Sequence, residues 1–373
     1  MEIHPAHGPC DLRFKGVLAL LSLGLIAVSV FAFAGWSLHR WRRTASPAIP
    51  AASRKVSPAK PTDATPPTAA ALLDPLLLQR TNAQLAERLW RLAYGAPSQS
   101  QPLEPVHAQV RVAIVAKLQP ETMNPDYFPR RPTLMQQLLR AVDDPDAEAD
   151  KLSRMIAHDP VISADVLRIA NSSLYRTLPE PIESIQRAIV MCGVESLRGI
   201  LATAMVRPVF RATRTNFPRL PRLLWDRTER AARAAELYAM TSAPQDRFEA
   251  QLAVLLSALG PLVVYSAALD VYSGRPRLTP SPALLVELTL TLGADMSRRI
   301  AQEWGSSPRL IEAMERSAGG SLSTALSVGE LLGTAMVLEA HAALTAAERV
   351  AAAESAGLTE ESVAGIWELL GVK

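Results

Sequence analysis

The chain has 373 residues, 49% of them apolar and only 5% aromatic. That length buries one large core or two ordinary ones, and an Ala- and Leu-rich composition favours helix over sheet. The net charge of +3 does not point to nucleic acid: residues 1–69 hold eight basic and three acidic side chains, which leaves 31 basic against 33 acidic in 70–373. Two cysteines, Cys10 and Cys192, make a disulfide framework implausible and fit a reducing compartment for the main body.

After a short N-terminal segment (1–15), residues 16–36, GVLALLSLGLIAVSVFAFAGW, carry no charge. At about 1.5 Å per residue such a stretch spans roughly 30 Å, the thickness of the bilayer hydrocarbon. Trp36 and Trp41 suit its interfaces, and the flank HRWRR with Arg54, Lys55 and Lys60 outweighs Arg13 and Lys15. The positive-inside rule then predicts a single-pass anchor with the large C-terminal part in the cytoplasm. A cleaved signal peptide is the rival, since Ala32-Phe33-Ala34 fits a cleavage triplet. The length of the apolar run and the arginines directly after it favour the anchor.

Residues 37–71 combine the basic flank with a linker rich in Pro and Ala, of extended polyproline-II character. A helical lead-in is expected over 72–124. Its first helix, 72–94, repeats Leu78, Leu85 and Leu92 at intervals of seven, with Leu89 between. Too few heptads are present for a coiled coil, so packing on its own domain is the expectation. A second helix is predicted around 105–118. From 133 onward the chain reads as successive helices without a strand pattern or a fixed repeat. Asp159-Pro160 forms an N-cap followed by an N1 proline. Ser184 caps SIQRAIVMCG and Gly193 stops it, while Pro208 is expected to end VESLRGILATAMV.

Within this region the pieces IAHDPVISADVLRIANSSLY, PIESIQRAIVMCG and VESLRGIL stand in an order and spacing that resembles the HDOD domain, the HD-related output domain of bacterial signalling proteins. The resemblance runs from about 125 to about 340 and leaves 341–373 as a C-terminal helical extension. It implies an all-α, HD-like helical bundle related to HD-type metal phosphohydrolases but used as a regulatory or interaction module. It also implies the bacterial inner membrane as the site of the anchor.

The residues themselves agree with a bundle. Val161, Ala164, Val166, Leu167 and Ala170 supply an apolar face for one helix. Asn171, Ser172 and Ser173 can end that helix through local backbone bonds, a simpler role for Asn171 than ligand contact. Tyr175 adds a packed ring with a hydroxyl that needs a partner.

The literal pair His158-Asp159 is a decoy, because an N-cap carboxylate is already engaged by backbone amides. The resemblance places the metal-ligand positions of an HD hydrolase elsewhere. Aligned on Trp225, the first histidine falls at Arg227, the His-Asp pair at Ser257 and Ala258, and a later histidine pair at Glu315 and Arg316. Only Glu315 could ligate, and the remaining histidines are scattered. No metal or other cofactor and no catalysis are therefore expected, and no phosphate loop, nucleophile elbow or zinc-type cysteine pair is present.

Residues 207–233 contain eight arginines against two acids. Arg219, Arg222, Arg227, Arg230 and Arg233 form a candidate surface for an anionic partner, although a solvated helix face explains most charge runs. The functional expectation is a membrane-tethered regulatory module that acts in trans on an unnamed signalling protein. The alternative is a receptor for a small anion, such as a cyclic dinucleotide, held where the metal site would be; a residual phosphohydrolase comes third. The sequence leaves the partner and the oligomeric state open.

Overall fold

In the computed structural model the described chain is a succession of helices, several of whose starts are marked by a capping side chain. The structure describes residues 73–97, 103–119, 124–130, 132–140, 145–176, 179–212, 216–315, 319–359 and 366–367. The predicted anchor, its flank and the linker lie outside these residues, as does Arg316.

α1 (Pro75–Tyr94) opens on Asp74, whose carboxylate accepts from the Leu76 and Leu77 amides, and closes on Gly95 at φ 66°. α2 (Pro105–Lys117), α3 (Thr133–Arg140) and α4 (Pro145–Ala157) follow. α5 (Pro160–Ala170) starts at Asp159, which accepts from Val161 N at 2.8 Å and Ile162 N at 3.2 Å. α6 (Ile185–Cys192) is capped by the Ser184 hydroxyl and ends at Gly193, φ 79°.

α7 (Val194–Ala212) corrects one expectation. Pro208 lies inside it and the helix continues to Ala212. Proline forfeits one backbone bond, but packing beyond it outweighs the loss: Phe210 is buried edge-on against Trp225 with ring centres 5.3 Å apart. The face expected on α5 also needs correction. Val166, Ile169 and Ala170 are buried, whereas Val161 and Ala164 are exposed. The inward stripe is the i, i+3, i+4 set at the C-terminal end of the helix.

The centre of the bundle comes from α8 (Leu220–Ser242), α9 (Arg247–Ser257), α10 (Gly260–Ser273), α11 (Pro282–Glu303) and α13 (Ser321–Ala340), with the short α12 (Pro308–Ala313) between the last two. α14 (Ala346–Ser355) closes the described chain. α8 makes its broadest contact with α13, α10 packs on α11, and α1 lies across α13 and α11. No strand occurs among the described residues. Leu78, Leu85 and Leu89 of α1 are buried in this domain, so its heptad spacing serves intrachain packing.

Two described stretches, Pro244–Ser273 and Ser321–Ala340, are long and apolar enough to cross a bilayer. Their apolar windows are 83% and 72% buried inside the bundle, which makes them its core helices.

Candidate functional site

α13 approaches α8 closely because it carries Gly329 and Gly333. A β-carbon on Gly333 would lie 2.5 Å from the Ala231 amide nitrogen, and one on Gly329 would lie 2.6 Å from the Ala231 carbonyl oxygen. Only hydrogen fits at these two positions. This approach brings Glu330 of α13 to Arg227 of α8, with Arg227 Nη2 3.0 Å from Glu330 Oε1. Arg227 Nε donates to Thr334 Oγ1 at 3.3 Å. From the end of α9, the Ser257 hydroxyl reaches the same Glu330 oxygen at 2.7 Å, with the Val254 carbonyl as its other acceptor at 2.9 Å.

Two of the positions assigned to an HD hydrolase's metal ligands are thus joined through one carboxylate. The arginine side chain keeps 12% of its exposure and the glutamate 30%, so the pair is partly desolvated. Ala258, the next position, is buried apolar packing. Glu315 is exposed and stands apart, its carboxylate 3.6 Å from Arg298.

The HD resemblance implies a divalent metal here, and the side chains present do not fit one. A guanidinium repels a cation, a neutral hydroxyl and a methyl group are poor or null donors, and the nearest carboxylate already answers the arginine. Among the described residues no group of three His, Cys, Asp or Glu side chains could hold a metal ion. The same pairing bears on a small anion at this place, because the arginine that would attract it is already neutralised.

The break between α9 and α10 sits beside this cluster and is tightly tied. Gly260 N donates to Ser297 Oγ at 3.0 Å, and that hydroxyl donates to the Ser257 carbonyl at 2.7 Å. A β-carbon at Gly260 would lie 2.0 Å from the Gly293 carbonyl oxygen, so glycine lets α10 press against α11.

A second polar layer centres on Glu236, which is 1% exposed. It accepts from Ser196 Oγ at 2.7 Å, Arg233 Nη1 at 2.6 Å and Arg247 Nη2 at 3.0 Å. Burial works against the Arg233 charge, but Glu236 and Tyr175 outweigh it and its pKa is raised. The Arg233 guanidinium lies 4.5 Å over the Tyr175 ring. The Tyr175 hydroxyl accepts from Gln251 Nε2 at 2.7 Å, and burial pushes its pKa far up. Gly199 makes room for Gln251, whose side-chain oxygen would lie 1.5 Å from a β-carbon there.

Asn171 shapes the loop before α6. Its amide nitrogen donates to the Leu167 and Ile182 carbonyls, and its oxygen accepts from Ile182 N at 2.7 Å. The Ser172 hydroxyl is buried without a hydrogen-bond partner among the described residues. His158 is exposed beside the capping Asp159.

The five arginines of the candidate anionic surface do not share a surface, which corrects that expectation. Arg227 and Arg233 turn inward to Glu330 and Glu236, and Arg230 donates to the Asp226 carbonyl at 3.0 Å. A spacing of three on a helix describes one side, and here that side turns inward, Arg227 to Glu330 of α13 and Arg233 to Glu236 one turn further along α8 itself. Only Arg219 and Arg222 are exposed, and both line a groove at the N-terminal end of α8. Sequence reasoning missed Glu330 and Glu236. Their signal is a single acid inside an otherwise apolar or alanine-rich helical run, GELLG and RAAELY.

The described residues form an all-α bundle without a strand, the architecture expected of an HDOD domain. The HDOD domain model matches residues 128–318, about half of the chain. The chain belongs to the HDOD domain family. A solved HDOD domain protein from Geobacter sulfurreducens is similar, with 17% identity and a TM-score of 0.48, covering 70% of this chain and 99% of that one. A metal-dependent phosphohydrolase-like protein from Shewanella amazonensis SB2B gives 20% identity and a TM-score of 0.46, covering 70% and 98%. The MmoQ response regulator from Methylococcus capsulatus gives 22% identity and a TM-score of 0.30, covering 64% and 94%. No curated protein matches.

Proposed function

We propose that this chain is a membrane-tethered HDOD module that regulates a signalling partner in trans and carries out no hydrolysis of its own. The observation that supports this most is the Arg227–Glu330–Ser257 cluster, which puts a cation and its counter-charge where a hydrolase needs metal donors. A fixed guanidinium with a bonded carboxylate offers neither a Lewis acid nor an activated water. What the domain then offers a cell is surface, and its action passes through contacts.

The uncharged stretch 16–36 with its basic C-terminal flank supports a single-pass anchor in the bacterial inner membrane, with the bundle on the cytoplasmic side.

The test has two arms. Purified full-length protein supplied with Mn²⁺ or Mg²⁺ is assayed on phosphodiester and phosphomonoester substrates; turnover lost in a Glu330→Gln variant would overturn the non-catalytic reading. Reporter fusions at the C-terminus check topology. A cytoplasmic reporter active there is the expected result, and an active periplasmic reporter would reverse the orientation.

A further inference from the structure

A groove of about 530 Å³ opens at the N-terminal end of α8, lined by Leu92, Pro218, Arg219, Arg222, Leu223 and His341. Two of its walls lie outside the segment matched by the family model: Leu92 comes from α1, and His341 follows α13. The groove therefore exists only where the helices before and after the HDOD segment fold back on it.

Its walls are held in place. Arg88 of α1 donates to the Ala343 carbonyl and pairs with Glu348 at 2.8 Å, which ties the turn carrying His341 to α1. Ala342 in that turn adopts φ 53°, a left-handed conformation that an alanine accepts only under such constraint. The His341 ring is fixed by Nδ1 donating to the Val337 carbonyl at 2.9 Å.

The charge around the groove is one-sided. Nearby acids are each committed to another cation: Glu87 to Arg91, Glu348 to Arg88, and Glu339 to Arg349. Arg219 makes no hydrogen bond or ion pair with another described side chain, and Arg222, 88% exposed, has only Asp226 at 3.7 Å from Nε. An ion pair that exposed and that long contributes little. Arg219 at the N-cap position and Arg222 three residues on line the same groove, so an anion seated there meets both guanidiniums. Leu92, Leu223 and Pro218 supply an apolar wall beside them.

We propose that this groove binds a phosphate monoester joined to an apolar body. Two guanidiniums match a dianionic phosphate, whereas a carboxylate would leave one of them uncompensated. The volume falls in the range of about 300–1,000 Å³ typical of small-molecule sites, so a bare phosphate would leave most of it unfilled. Both a soluble aryl phosphate and the headgroup of phosphatidate carry this chemistry.

Calorimetric titration of the full-length protein in detergent with phenyl phosphate, and flotation of the protein reconstituted without anionic lipid against phosphatidate vesicles, separate the two sources. Binding in either arm that falls about tenfold or more in Arg219→Gln/Arg222→Gln supports the site and identifies its source. The variant's unfolding midpoint, unchanged because both side chains are exposed, excludes a folding defect. His341→Gln and Leu92→Ala report the other two walls. Absence of binding in both arms overturns the proposal, as does binding that the double variant leaves intact. Inorganic phosphate that binds as tightly as phenyl phosphate would overturn the apolar part of the ligand.

Discussion

Arg227 Nη2 and Glu330 Oε1 stand 3.0 Å apart across the α8–α13 contact, and Ser257 shares the same carboxylate oxygen. Removing one partner of a largely buried pair leaves the other charge uncompensated, which costs more than the pair itself contributes. Arg227→Met and Glu330→Gln are each expected to lower unfolding free energy by about 1–3 kcal/mol. The double variant should lose less than the sum, by about 1 kcal/mol, because the unpaired charge disappears. Chemical unfolding of the four proteins checks this, and strict additivity would dissolve the link between them.

Glu236 is a more severe case, being almost wholly buried among two arginines and a serine hydroxyl. Glu236→Gln keeps the shape but strips the charge that both guanidiniums answer. A loss of about 3–5 kcal/mol is expected. The Ser196→Ala variant, which removes one hydrogen bond and no charge, should lose only about 1 kcal/mol. Comparable losses in the two would mean that Arg233 and Arg247 find other partners.

Some helix starts and stops were legible from single residues: Asp159 and Ser184 cap as their chemistry dictates, and Gly193 stops α6, whereas the stop expected at Pro208 does not occur. These effects act within one turn, so local sequence contains them. The Arg227–Glu330 pair was not legible, because its members lie 103 positions apart in the numbering and meet only after α8 and α13 dock. The arginine series misled for the same reason. Periodicity specifies which side chains share a side of a helix but not whether a neighbour's carboxylate waits there, and Arg227 meets one on α13, while Arg233 is answered within α8 by Glu236 and the exposed Arg222 only by Asp226 at 3.7 Å.

Gly333 lets α13 seat against Ala231 of α8, and a β-carbon would stand 2.5 Å from backbone that cannot rotate away. Gly333→Ala is expected to force the helices apart and cost about 1–3 kcal/mol, despite alanine's better helix propensity. Gly319→Ala, where a β-carbon meets nothing within 4 Å, serves as the control and should change little. Denaturant midpoints of the two variants test this directly. Equal midpoints would show that the α8–α13 contact relaxes at no cost.

Glu348 links the turn after α13 to α1 and caps α14 in one residue. Its carboxylate accepts from the Arg88 guanidinium and from the backbone and hydroxyl of Thr345. These bonds, the Arg88 one foremost, lower its pKa from 4.5 to about 2. A carboxyl group whose folded pKa is depressed contributes stability that is complete above its unfolded pKa, and that stability fades as pH falls through the folded value. The attachment of α14 should therefore weaken between about pH 4.5 and 2, with no change between pH 6 and 8 from this group. Hydrogen exchange of the Ala346–Ser355 amides, followed against pH by mass spectrometry and corrected for intrinsic rates, reads this locally. Protection is expected to fall in that acid window in the native chain and to be low already at pH 6 in Glu348→Gln. A native chain whose α14 protection falls no more steeply than that of the α8–α13 core would place the acid sensitivity elsewhere.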